Sequence, residues 1–98
     1  MIHLKPEHLQ IVQSIINQHM PDAEVYVFGS RAHGKGLKPF SDLDLLVKSH
    51  QALSVIDIIK TQQAFSESDL PFSVDISQQQ DLDEAFYRAI ENDLRLLN

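Results

Sequence analysis

The segment VYVFGSRAHGKGLKPFSDLDLLVK, residues 25–48, constrains this chain more than any other. An apolar run at 25–28 leads into a Gly29-Ser30 turn, and a second apolar run is interrupted twice by aspartate, at Asp42 and Asp44. Side chains alternate along a strand, so Asp42, Asp44 and Leu46 share one face while Leu43, Leu45 and Val47 face a core. Carboxylates that close raise one another's pKa unless a cation sits between them. Magnesium is the natural cation, because it takes hard oxygen ligands from one or two carboxylates and from substrate phosphates. Gly29 lets backbone approach a phosphate with no Cβ in the way, and the following N–H groups with the Ser30 hydroxyl can donate to its oxygens. The segment therefore predicts a site for a metal and a nucleotide. Ser30 follows the first strand and Asp42 opens the second, so the two halves meet only if these strands run antiparallel. The expected architecture is an α/β (α+β) fold, a small mixed sheet packed with helices rather than a doubly wound parallel sheet.

The rest of the chain reads as support. Ninety-eight residues suit one small domain, 1–98, with no room for a second module. A net charge of -6 argues against a protein that grips nucleic acid broadly, since such binding neutralises phosphates with Lys and Arg. With no cysteine, no membrane-length apolar run and no signal pattern in MIHLKPEHLQ, the expectation is a cytoplasmic protein without disulfides or a membrane span. Residues 6–20 carry Leu9, Val12, Ile15, Ile16 and Met20 at helical spacing, with Pro6 in the first turn and Pro21 as the stop. Residues 53–65 predict a core helix through Leu53, Ile56, Ile59 and Ala64 or Phe65, its stripe widened by Val55 and Ile58. A third strand is expected at 72–77, where Asp75 stands between Val74 and Ile76. Residues 81–97 predict a final amphipathic helix capped by Asp81, with Leu82, Phe86, Ala89, Ile90, Leu94 and Leu97 on one side. Arg31 either pairs with the phosphate or bonds a nearby carboxylate, and Lys35 and Lys38 either meet a triphosphate or dress the loop. Ser41 reads as a residue that bonds backbone where the second strand begins. The histidines at 3, 8, 19, 33 and 50 are scattered and read as solvated or edge residues.

Gly29-Ser30-Arg31, ten further residues, Asp42-Leu43-Asp44 and a later strand carboxylate, Asp75, together resemble the signature of the polymerase-beta-type nucleotidyltransferase superfamily. The short form resembles the minimal nucleotidyltransferase (MNT) antitoxins of HEPN/MNT toxin-antitoxin modules. The motif covers roughly residues 25–77, and the flanking helices agree in placement only. The resemblance implies a nucleotidyltransferase fold. It also implies catalytic, metal-binding roles for Asp42, Asp44 and Asp75 around Mg2+, with two ions expected, and nucleotide binding by Gly29, Ser30 and Arg31.

The implied activity is transfer of AMP from ATP to a hydroxyl, a tyrosine, of a HEPN ribonuclease toxin encoded alongside, which neutralises that toxin. Two other readings stay open: a non-catalytic antitoxin acting by complex formation, and a small-molecule nucleotidyltransferase. The last usually carries an added helical domain that this chain lacks.

Overall fold

The computed structural model describes residues 2–49 and 53–98. In chain order the elements are α1 (Pro6–His19), β1 (Glu24–Phe28), α2 (Ser30–His33), β2 (Leu43–Lys48), α3 (Val55–Ser66), β3 (Val74–Gln78), α4 (Glu84–Ile90) and β4 (Arg95–Leu96), with single 3-10 turns at Gln79–Asp81 and Glu91–Asp93. One sheet runs in the order β3-β2-β1-β4. β1 is antiparallel to β2 and to β4, whereas β2 and β3 are parallel, so the sheet is mixed as the turn argument requires.

Alternation sorts the sheet into two faces. Val25, Val27, Leu43, Leu45, Val47 and Val74 enter one core with Val12 and Ile16 of α1, Met20 just after it and Phe65 of α3. The expected stripe of α1 is thus the buried one, with Leu9 and Ile15 packed at its margin. On the other face, Leu46 is fully buried and α4 lies against the sheet. Phe86 meets Phe28 edge-on at 6.1 Å between ring centroids, and Lys48 Nζ donates to the Tyr87 hydroxyl at 2.7 Å.

Three expectations need correction. The final helix does not run over 81–97: α4 is short, it is capped by Asp83, which accepts from the Ala85 amide, and Asp81 lies in the 3-10 turn before it. The chain then extends as β4, where Tyr26 pairs with Leu96 and Val27 with Arg95. Leu97 enters the core and donates its amide to the Val25 carbonyl at 2.8 Å, while Asn98 Oδ1 accepts from the Val25 amide and its Nδ2 donates to the Ala23 carbonyl. An unpaired strand edge offers hydrogen bonds that a helix cannot use, and β1 would otherwise be such an edge.

The second correction concerns α3, whose buried side is Thr61 and Phe65 with Ile58 at the margin. Val55, Ile56 and Ile59, expected in the core, are 73%, 62% and 58% exposed. Apolar residues cover too much of this helix for one face to bury them all. The third is a shift of bounds: β3 begins at Val74, two residues later than the pattern suggests, because Phe72 and Ser73 lead into the strand. His50 lies outside the described residues.

Candidate active site

The site is built at one end of the sheet. Phe28 pairs with Asp44 across β1 and β2, so the chain turns at Gly29 directly beside that aspartate. Gly29 has φ +75° and ψ -154°, a conformation open essentially to glycine alone. A Cβ built there would stand 2.7 Å from Asp44 Oδ2. The turn and the carboxylate therefore need each other's shape: the small residue is what allows the approach. Ala32 and His33 donate their amides to the Gly29 carbonyl, which starts α2 with Ser30 as its first residue.

The parallel pairing of β2 with β3 places Asp44 opposite Asp75, and strand alternation puts both on the face away from the main core. Asp42 precedes β2 by one residue and is exposed, as is Asp75, whereas Asp44 is half-buried. Burial pushes the Asp44 carboxyl above its ordinary pKa, and the negative charges of Asp75 and Asp42 push it further. Three carboxylates thus share one electrostatic neighbourhood.

The donor set is wholly oxygen, the chemistry that Mg2+ prefers, and a divalent ion would offset the repulsion that burdens Asp44. Among the described residues no group of three or more His, Cys, Asp or Glu is arranged tightly enough to hold an ion by itself. A magnesium-type ion usually keeps several waters and completes its shell with substrate phosphates.

A cleft of about 650 Å³ opens beside the site, lined by Asp42, Asp75, Gln62, Ser73, Phe40 and Pro71 among others. It reaches two of the three carboxylates; Gly29, Ser30 and Asp44 lie outside its lining. Phe40, 72% exposed, stands between this cleft and a second of about 770 Å³ that contains Lys38, Lys5, His3, His8 and Arg31. Lys38 lines this second cleft and not the one that reaches the carboxylates, and both Lys35 and Lys38 are exposed.

Arg31 is where the structure departs most from the sequence. Its side chain is buried, and its guanidinium meets backbone rather than open solvent or a carboxylate: Nε donates to the Ser41 carbonyl at 2.9 Å, Nη1 to that of His3 at 3.0 Å and Nη2 to that of Pro39 at 3.2 Å. Neither alternative read from the sequence described this. Ser41 does bond backbone, since its hydroxyl accepts from the Lys38 amide at 2.8 Å and closes the turn before Asp42. Sequence reasoning missed Phe72, whose ring lies 4.1 Å from the Arg31 guanidinium carbon and packs edge-on against His8. Nothing in the local pattern distinguishes Phe72 from any apolar residue ahead of a strand.

Residues 6–97 match the family described as Nucleotidyltransferase domain. The chain belongs to that nucleotidyltransferase family. It is 45% identical over 75 residues to the probable protein adenylyltransferase MntA of Haemophilus influenzae; the match takes in 76% of this chain and spans 65% of that relative's length. Among solved structures, a toxin-antitoxin with AMP-PNP superposes with a TM-score of 0.72 at 19% identity, covering 92% of this chain and 72% of that one. A tri-AMPylated Shewanella oneidensis HEPN toxin in complex with MNT antitoxin gives 0.70 at 16% identity, covering 97% and 72%. At these identities the structural matches establish a shared nucleotidyltransferase fold. The minimal nucleotidyltransferase resemblance read from the glycine-serine turn and the aspartates agrees with the adenylyltransferase relative.

Proposed function

We propose that this chain is a Mg2+-dependent protein adenylyltransferase that acts as an antitoxin in the cytoplasm, moving AMP from ATP to a tyrosine hydroxyl of a HEPN-family toxin. The observation that carries the reading is the register of Asp44 with Asp75, next to Asp42 and against the Gly29 turn. The 45% identity to a probable protein adenylyltransferase supports the reaction class. The fold shared with a toxin-antitoxin bearing AMP-PNP and with an MNT antitoxin in complex with a HEPN toxin supports the nucleotide and the partner.

In the proposed reaction the acceptor oxygen attacks the α-phosphorus of ATP. A new oxygen–phosphorus bond forms, the bond from the α-phosphorus to the bridging oxygen breaks, and pyrophosphate leaves with the electron pair. Bound Mg2+ would supply Lewis-acid stabilisation of the charge that develops on the phosphoryl oxygens. Asp42 and Asp44 would hold the metal. Asp75 would also hold the metal and would take the hydroxyl proton, directly or through water. Gly29 and Ser30 seat the β- and γ-phosphates, the turn offering backbone N–H groups where a side chain would block them.

A second reading, neutralisation by complex formation alone, is favoured by Val55, Ile56 and Ile59 on α3, large apolar residues left exposed among the described residues. One experiment separates the two. The chain is incubated with ATP labelled at the α-phosphate, Mg2+ and the HEPN protein encoded alongside. Label on that protein, lost with Asp44→Asn, supports transfer; a stable complex without label supports masking.

A further inference from the structure

We propose that Arg31 is a positioning residue for this site, a buried clamp that fixes the segments carrying Asp42 and Asp75 relative to the Gly29-Ser30 turn. The inference rests on the nucleotidyltransferase reading. Arg31 follows Ser30 directly and is 5% exposed. Two of its three guanidinium hydrogen bonds go to Pro39 and Ser41, so the backbone is gripped immediately before Asp42. The guanidinium carbon of the same group lies over the Phe72 ring, 4.1 Å from its centroid, and Phe72 is two residues ahead of Val74 and three ahead of Asp75. The Leu43 amide donates to the Ser73 carbonyl at 2.9 Å, which joins those two segments behind the clamp. The third bond reaches the His3 carbonyl, and the His3 amide returns a bond to the Arg31 carbonyl at 2.7 Å, so the arginine is itself held from the far side.

An arginine is the residue this geometry asks for. Its planar fork reaches several acceptors at fixed angles while its face stacks on an aromatic ring, whereas a lysine ammonium acts as a compact point charge. Among the described residues the only ion pair at contact distance joins Arg88 to Glu84, so the Arg31 charge is balanced by carbonyl dipoles and, at longer range, by Asp42. The guanidinium thus acts on the site through backbone placement and through a positive charge behind the carboxylates. Errors of about 1 Å in such supports cost roughly a hundredfold in rate even when they arise away from the reacting atoms.

The test uses Arg31→Lys and, should that variant fail to fold by circular dichroism, Phe72→Leu, which removes the stack and leaves the three hydrogen bonds. Three readouts are taken on the whole chain: kcat and KM for ATP with the acceptor protein, Mn2+ binding followed by electron paramagnetic resonance, and amide hydrogen exchange over residues 38–43. Expected for Arg31→Lys are a fall in kcat of about tenfold to a hundredfold, a KM for ATP changed by no more than about twofold, weaker Mn2+ binding and faster exchange in that segment. Phe72→Leu should lower kcat, weaken Mn2+ binding and speed exchange in the same directions by less, again with KM for ATP within about twofold. A raised KM with Mn2+ binding and exchange unchanged would mean that Arg31 touches nucleotide instead, and would overturn the proposal. So would a variant indistinguishable from wild type. If the wild-type chain transfers nothing, the functional reading fails on its own, while Mn2+ binding and exchange still decide whether Arg31 sets the positions of the carboxylates.

Discussion

The strands β1 and β2 carry charge at both ends of the same sheet face, and the two ends are handled in opposite ways. At one end Glu24 pairs in register with Lys48, the Tyr26 hydroxyl donates to Glu24 Oε1 at 2.8 Å, and Lys48 donates to Tyr87 while lying over the rings of Tyr26 and Tyr87. At the other end Asp44, Asp42 and Asp75 gather, and among the described residues none of them forms an ion pair at contact distance. The hydrogen bond to Tyr87 raises the Lys48 pKa, which favours its charged form; burial and like charge raise the Asp44 pKa, which disfavours its charged form. One end is settled within the chain. The other is left for something from outside it to settle, which is how a binding site differs from a structural network.

The sharpest attack on this contrast is Asp44→Asn. AMP transfer should fall roughly a hundredfold or more, the usual size for losing a group that acts where charge develops. The metal-free variant should melt higher than wild type at neutral pH. The sign follows from linkage: a folded-state pKa raised above the ordinary 3.8 means that wild-type stability falls as pH rises through that interval, and asparagine removes this loss. Equal melting temperatures for the two proteins from pH 4 to 7 would show that the carboxylates do not burden the fold.

Ligand should reverse that burden. With Mg2+ and a non-hydrolysable ATP analogue at about a hundred times Kd, wild type should gain about 2.7 kcal/mol of stability, and Asp44→Asn much less. Calorimetric melts in both proteins check this, and an equal gain would remove Asp44 from the site. Gly29→Ala should cost about 1–3 kcal/mol through its positive φ, and should also depress transfer by displacing Asp44. Urea melts of Gly29→Ala with and without Asp44→Ala separate the two causes: the φ cost persists in the double variant, and the clash does not.

The smallest effect belongs to the settled end. Lys48→Met should cost about 0.5 kcal/mol, because the hydrogen bond to Tyr87 is only partly buried, and should leave transfer unchanged. With a folded pKa above 10.5, the contribution of Lys48 is complete below that pH and lost as pH rises through the folded value. A loss of transfer in this variant would join the two ends functionally and break the contrast.

Local pattern carried the reading a long way at the glycine turn. The two apolar runs, the small residues between them and the spacing of Asp42 and Asp44 depend only on strand alternation and on where backbone must come close. The helix over Pro6–His19 was equally legible, with proline at its start and an apolar stripe of the right period. The C-terminal residues were not. Glu84–Ile90 keeps the helical pattern, but Leu97 had two ways to be buried, and the open edge of β1 decided between them.

Asp42 and Asp44 were brought to one face by the sequence itself, because alternation has a period of two and needs no distant partner. That Asp75 lies opposite Asp44, that Arg31 turns inward onto carbonyls and Phe72, and that α3 leaves Val55, Ile56 and Ile59 outside were decided only in three dimensions. Periodicity is written over a few neighbouring residues. Register between strands and the satisfaction of a buried cation depend on which distant segments meet, and that is fixed by the packing of the whole chain.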